Sequence, residues 1–197
     1  MVQPSLPPVA FWYLRHGETD WNRDNRTQGR TDIPINATGM EQIRQAAAAL
    51  AGKGIARIVT SPLGRARSSA DIAASILNVP VMVEPDLQEA NFGEHEGEVM
   101  AGWFHAWVAG QTAPERGESF ATLRARAVGV MRRILQANGL VLVVSHGAFF
   151  RAVRAEMGLS PNIRTSNGEP ILCQPVAGGG WRLVGPGGDI IATAAGG

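Results

Sequence analysis

Apolar and polar positions along this chain fall into blocks with two different periods. Residues 9–14, VAFWYL, form a short apolar and aromatic run, the pattern of a buried strand. A polar loop containing Gly29 and Pro34 follows. TGMEQIRQAAAALAGKG then sets Ile43, Ala46, Ala47 and Leu50 on one face of a predicted helix. Thr38 and Glu41 make a capping box for it, and Gly52 or Gly54 ends it. IARIVT is a second strand. SPLGRARSSADIAASILN is a second helix, with Ser61 as N-cap and Pro62 at the first helical position. VPVMVEPDL supplies a third, short strand. The connection from Gln88 to Ser119 carries one short helix. SFATLRARAVGVMRRILQAN is a helix closed by Gly139. LVLVVS is the most apolar strand of all, and HGAFFRAVRAEMG is the helix after it. EPILCQPV and GWRLVG read as a final hairpin, and residues 186–197 as a flexible tail.

Strands alternate with helices, so the expected fold class is α/β. The architecture is a three-layer sandwich with a mostly parallel central sheet and helices on both faces. No repeat or linker divides the chain, so residues 1–197 are expected to form a single domain. Residues of about 90–117 form a small lid insertion within it.

Composition narrows the function classes. The chain has 197 residues, 45% of them hydrophobic and 18% charged, with a formal net charge of +1. That suits a globular domain with a sizeable core. It gives no support to a nucleic-acid or membrane-surface partner. Lys53 is the only lysine, so the positive charge is nearly all arginine. Arginine suits forked recognition of phosphate or carboxylate, although a GC-rich genome produces the same bias. One cysteine, Cys173, excludes an internal disulfide framework and a thiolate zinc cluster. The start MVQPSLPPVA lacks a basic end followed by an apolar core, and no apolar run approaches the roughly 20 residues of a membrane span. The cytoplasm is therefore the expected location.

The candidate chemistry sits at strand ends. YLRHG and VVSHG both place a His-Gly pair directly after a buried strand. In open α/β sheets, ligands bind outside the carboxyl ends of the strands. His16 and His146 both fall there, and Arg65 lies in the first turn of the helix after IARIVTSP. A cation in a first helical turn opposes the helix dipole, and a bound anion would relieve it. Taken singly, each has an ordinary reading: a structural histidine, a solvated helix arginine, or an Arg15 that bridges a strand end. Together, Arg15, His16, Arg65 and His146 converge from three strand ends on a phosphate-sized pocket. A metal site is the competing reading. The four histidines show neither an H-x-H nor an H-E-x-x-H pair, and arginines repel a cation, so no metal and no cofactor is expected.

LRHGETDWN resembles the signature of the histidine phosphatase superfamily, the phosphoglycerate mutase-like proteins. TQGRTDIPINATGMEQIRQA, SPLGRARSSA, LQEANFGEHEG and VVSHG resemble its loop and first helix, its second arginine motif, its acid motif and its second histidine motif. These cover residues of about 11–150 in the expected order, while the last forty or so residues match only in general strand-like character. The resemblance implies a phosphoglycerate mutase-like fold and a phosphohistidine mechanism. It makes His16 the nucleophile, with Arg15, Arg65 and His146 on the phosphoryl oxygens. Asn22, Gln28, Gly29 and Gly147 fall on the substrate-binding rim. Glu89 becomes the general acid and base. Glu94, Glu96 and Glu98 crowd the same loop, and Glu96 is the reserve candidate. Gly17 is expected to let the backbone turn without a Cβ in the way.

The resemblance implies that cofactor-dependent mutases carry longer insertions that cap the site and exclude water, so this shorter chain is expected to be a phosphatase acting on a small phosphorylated metabolite. Mutase-type transfer and a catalytically inactive phosphate-binding protein are the alternatives. Trp103 and Trp107 stand at helical spacing in the insertion, suited to packing the lid on the core or to touching the organic part of a substrate. The substrate and the oligomeric state, including a homodimer, are left open by the sequence.

Overall fold

The computed structural model describes residues 6–195. Seven strands form one sheet: β1 (Phe11–Arg15), β2 (Ile55–Thr60), β3 (Val81–Val83), β4 (Leu140–Ser145), β5 (Pro170–Pro175), β6 (Gly180–Val184) and β7 (Ile190–Ala195). Their order is β3-β2-β4-β1-β5-β6-β7. The half from β3 to β1 is parallel, and β5, β6 and β7 extend it as antiparallel neighbours. The helices are α1 (Asp20–Arg23), α2 (Ala37–Leu50), α3 (Gly64–Leu77), α4 (Trp103–Val108), α5 (Phe120–Gln136) and α6 (Gly147–Glu156).

Side chains on successive strand residues point to opposite faces, and both faces of the parallel half are covered. Trp12, Leu14, Leu142 and Val144 pack with Ile43, Ala47, Ala66 and Ala70 of α2 and α3. Phe11, Tyr13, Val141 and Val143 pack on the other face with Leu123, Met131, Phe149, Phe150 and the insertion residues Phe104 and Trp107. This is the expected three-layer α/β sandwich. The apolar runs are continuous because β1 and β4 are buried on both sides. No helix among the described residues is long and apolar enough to cross a membrane.

Four local expectations change. The first concerns α2, which is capped by Asn36, whose side chain accepts from Gly39 N at 2.8 Å, rather than by a Thr38–Glu41 box. Thr38 lies inside the first turn because Asn36 is itself a strong cap and is fixed by Glu18: its N–H donates to the Glu18 carbonyl and its amide to the Glu18 carboxylate. The second concerns α3, which begins at Gly64, not at Pro62, and its N-cap residue Leu63 offers no side-chain cap. A carboxylate from another loop takes that role, with Gly64 N donating to Asp32 Oδ2 at 2.7 Å, while Ser61 Oγ accepts from Leu63 N and meets His146 Nε2. In the third, the expected flexible tail contains β7, which pairs with β6 from Gly180↔Ala195 to Val184↔Ile190; residues 196–197 of that expectation lie outside the described residues. Alternation in IIATAA is too weakly apolar to mark an edge strand.

Gly17 supplies the fourth. A Cβ there would overlap the Gly39 carbonyl, so glycine is required by the close approach of α2 to the end of β1 rather than by a turn.

Candidate active site

The register of the parallel strands builds the site. Arg15 pairs with Ser145 and Thr60 with Val144, so β1, β2 and β4 end level with one another. The chain leaves them through His16, Ser61 and His146. β4 lies between β1 and β2, and the onward connections of β1 and β4 run in opposite directions along the sheet, to β2 and to β5, as at the switch point where α/β sheets bind ligands.

His16 is buried, and its Nδ1 lies 2.8 Å from the carbonyl of Gly17. A carbonyl can only accept, so Nδ1 carries the proton and Nε2 keeps its lone pair. Burial, then the charges of Arg65 and Arg15, hold the His16 pKa well below its ordinary value. His146 is wholly buried behind it, with ring centroids 5.3 Å apart. Its Nε2 lies 2.7 Å from Ser61 Oγ, and its Nδ1 has no partner. Burial is again the main cause of its lowered pKa, followed by Arg65. His146 is thus part of the floor beneath His16 rather than of the cleft wall.

Arg15 and Arg65 are held mainly by backbone carbonyls, and Arg65 has one carboxylate nearby, Asp32 Oδ1 at 3.6 Å from its Nη1. Arg15 donates to Thr165 O at 2.7 Å, and Arg65 to Thr31 O at 2.9 Å and Gly29 O at 2.6 Å. The Nε of each is buried without a partner. Burial, then the Arg164 charge, brings the Arg15 pKa down to about 10. Buried donors are almost always satisfied in native proteins. Arg15, Arg65 and His146 thus each keep one buried nitrogen without a partner among the described residues.

A cleft opens above these groups. Arg15, His16, Asn22, Gln28, Gly29, Arg65, Glu89 and Gly147 all line it, so the sequence candidates other than His146 share one wall. Asn22 is fixed by the Asn167 amide at 3.0 Å, and Gln28 accepts from Thr19 Oγ1 at 3.0 Å. Gly147 admits Arg15, whose Nε would sit 3.3 Å from a Cβ there.

Glu89 crosses from the end of a 3-10 turn (Pro85–Leu87) to the start of α6. Its Oε1 accepts from Ala90 N and Phe149 N, at 3.0 and 2.8 Å, and its Oε2 from Ala148 N at 2.9 Å. It therefore takes the place of a cap that His146 does not provide. The loop carrying it is clasped by Arg126, whose guanidinium donates to the carbonyls of Asp86, Gln88 and Glu89 and forms a bidentate pair with Glu118. Glu96, the reserve candidate, is not in the cleft. Its carboxylate is spent on Arg30 N, Thr31 and Phe92 N, tying two loops together.

Trp107 is wholly buried and donates to Glu118 O, and Trp103 stacks on His95 with centroids 4.1 Å apart. Both tryptophans pack the insertion onto the body, and neither lines the cleft. Its apolar lining from this region is Phe92, Met100 and Phe104. Sequence reasoning also missed Arg26, Arg151 and Arg164, which line the mouth. Arg151 was findable, since it lies one helical turn from Gly147 on α6. Arg164 sits in a loop with no periodicity and gave no signal. Among the described residues no group of three metal-ligating side chains occurs.

A family model described as the histidine phosphatase superfamily, branch 1, matches residues 11–165. The chain is 35% identical over 161 residues to a Bacillus subtilis protein named uncharacterized phosphatase PhoE, covering 80% of this chain and 82% of that one. It is 33% identical over 150 residues to the probable phosphoglycerate mutase GpmB of Escherichia fergusonii, covering 71% and 70%. The solved structure of a mycobacterial glucosyl-3-phosphoglycerate phosphatase in complex with VO3 superposes with a TM-score of 0.78 at 26% identity, covering 89% of this chain and 97% of that one. The chain belongs to the histidine phosphatase superfamily.

Proposed function

We propose that this histidine phosphatase superfamily member hydrolyses phosphate monoesters of small metabolites in the cytoplasm, through a phosphohistidine at His16. The observation that carries the reading is the free Nε2 of His16 beside the unpartnered nitrogens of Arg15 and Arg65. In the first step Nε2 attacks phosphorus in line with the ester bond. The N–P bond forms as the P–O bond breaks, and the departing oxygen takes a proton from Glu89. Arg15 and Arg65 bind the equatorial oxygens from the sides and His146 supports them from the floor, where charge concentrates in the transition state. In the second step water attacks the phosphohistidine, Glu89 receives its proton, and inorganic phosphate leaves.

Glu89 suits that exchange despite its helix-capping bonds. A carboxylate offers about four lone-pair sites. Three are taken by backbone N–H groups, two on Oε1 and one on Oε2. The remaining site on Oε2 is available to a proton from the cleft, which Glu89 lines. Asn22, Gln28, Gly29 and Gly147 form the substrate rim, within one domain whose lid is the 90–117 insertion. The residues present call for no metal or cofactor.

Mutase-type transfer is the second reading, favoured by the likeness to the GpmB protein. One pair of assays separates the two: phosphate release from simple monoesters, and interconversion of 2- and 3-phosphoglycerate. Release without interconversion, with acid-labile phosphate trapped on His16, is the expected result. Interconversion without release would overturn the phosphatase reading, and absence of both would make the chain a binding protein.

A further inference from the structure

The cleft holds more positive charge than one phosphoryl group uses. Arg15, Arg26, Arg65, Arg151 and Arg164 line it against a single carboxylate, Glu89, although the whole chain carries a net charge of only +1. Arg15 and Arg65 belong to the phosphoryl pocket. Arg151 and Arg164 stand above it at the mouth.

Each of these two is placed by an identifiable device. Gly147 and Ala148 line the cleft from the first turn of α6, and Arg151 follows on the same helix face. Its guanidinium lies 5.1 Å from the centre of the Phe104 ring, and its Nη1 donates to Pro161 O at 2.6 Å. That leaves most of its five donors unassigned. Arg164 directly precedes Thr165, whose carbonyl is held by Arg15 at 2.7 Å, so its backbone is pinned beside the phosphoryl pocket. It is exposed and, among the described residues, no side-chain hydrogen bond or ion pair engages its guanidinium. Its charge is felt by Arg15.

Holding like-charged guanidiniums around one cleft is unfavourable unless an anion neutralises them, and a cleft with one sign of charge concentrates ligands of the other. We infer that the substrate carries a second anionic group, a carboxylate or a second phosphate, bound at the mouth by Arg164 with Arg151. The Phe92, Met100 and Phe104 wall then faces the short carbon skeleton between the two anions. The inference rests on the phosphatase reading for what happens at the first anion, but not for binding of the second.

The test uses non-hydrolysable three-carbon ligands: propylphosphonate, 3-phosphonopropionate and propane-1,3-diphosphonate. Binding to the wild-type protein is measured by titration calorimetry at low salt. The doubly anionic ligands are expected to bind about 10–100-fold tighter than propylphosphonate, the range of a charge-assisted contact. Whichever gains more names the second group. In Arg164→Ala the ratio should collapse towards one, in Arg164→Lys it should be partly kept, and in Arg44→Ala, on the exposed face of α2, it should not move. A ratio near one in the wild type, or a ratio kept in both Arg164→Ala and Arg151→Ala, overturns the inference. Parallel assays on glycerol phosphate and phosphoglycerate separate the two proposals. Phosphate release with a ratio of one sinks the second-anion site alone. An intact ratio without release from any ester sinks the phosphatase reading alone. No binding of any phosphonate sinks both.

Discussion

The rings of His16 and His146 lie 5.3 Å apart and tilted by 58°, and each is fixed by a different partner: Gly17 O for the first and Ser61 Oγ for the second. Only His16 faces the cleft. His16→Ala is therefore expected to abolish turnover and the acid-labile phosphoenzyme together. His146→Ala should retain a trace of phosphoenzyme. Phosphate trapped on another residue of the wild type, located by peptide mapping, would refute the assignment.

The same pair makes the fold acid-sensitive. Both pKa values are lowered in the folded state, so the unfolded chain binds protons that the folded chain refuses. Stability is complete above the unfolded value of about 6.5 and falls as the pH drops below it, by up to about 1.4 kcal/mol per pH unit for each histidine. Chemical denaturation at about pH 7.5 and about pH 5.5 reads the slope, and His146→Gln should reduce it. A flat profile in the wild type would contradict the burial argument.

Vanadate should inhibit the enzyme and stabilise it by satisfying the nitrogens left without partners on Arg15 and Arg65. At a hundred times its Kd the gain is about 2.7 kcal/mol, read as a rise in Tm. Arg65→Ala should lose most of that rise. Unchanged inhibition in Arg65→Ala would return Arg65 to a purely structural role, bridging Thr31 O and Gly29 O.

Glu89→Gln tests the proton transfer. An aliphatic alkoxide needs a proton to leave and a nitrophenolate does not. The burst of phosphoryl transfer from glycerol phosphate should slow about 10²–10⁴-fold, and that from nitrophenyl phosphate far less. The same variant should lose about 1 kcal/mol of stability, because an amide cannot accept all three backbone N–H groups that Glu89 satisfies. Equal slowing of both bursts would remove Glu89 as the acid.

Dialysis against a strong chelator should leave monoester hydrolysis intact, since arginines rather than carboxylates surround His16. Activity lost and restored by one particular divalent ion would overturn this.

The strands and helices of the parallel half were legible because burial on both faces leaves an unbroken apolar run such as LVLVVS, and because helix periodicity survives in α2 and α5. The convergence of Arg15, His16 and Arg65 was legible from strand ends alone. Caps were not. Asn36 and Thr38 are both acceptable cap residues, and only the tertiary bonds of Asn36 to Glu18 decide between them. Nor can one sequence show that Glu89 rather than Glu96 reaches the cleft, since both sit in one irregular loop; the backbone N–H groups of α6 draw in the first, and those of Arg30 and Thr31 draw in the second. Arg164 was invisible for the same reason: its position follows from a carbonyl bond made by its neighbour.

Arg126 and Glu118 do more than hold the Glu89 loop. Glu118 N donates to Asn91 O at 2.7 Å, so the two ends of the 92–117 segment are fastened to each other where it leaves the body. Once the two ends are joined there, lengthening the excursion is entropically mild, about 0.6 kcal/mol for each doubling of a flexible loop. Phe92, Met100 and Phe104 all belong to this excursion, whereas Arg15, His16 and His146 stand at the ends of β1 and β4 and Arg65 in the first turn of α3. The segment is thus a module with fixed anchors: residues such as Met100 can vary at the cleft while Phe104 and Trp107 keep their place in the core and Glu96 keeps hold of Thr31, whose carbonyl holds Arg65.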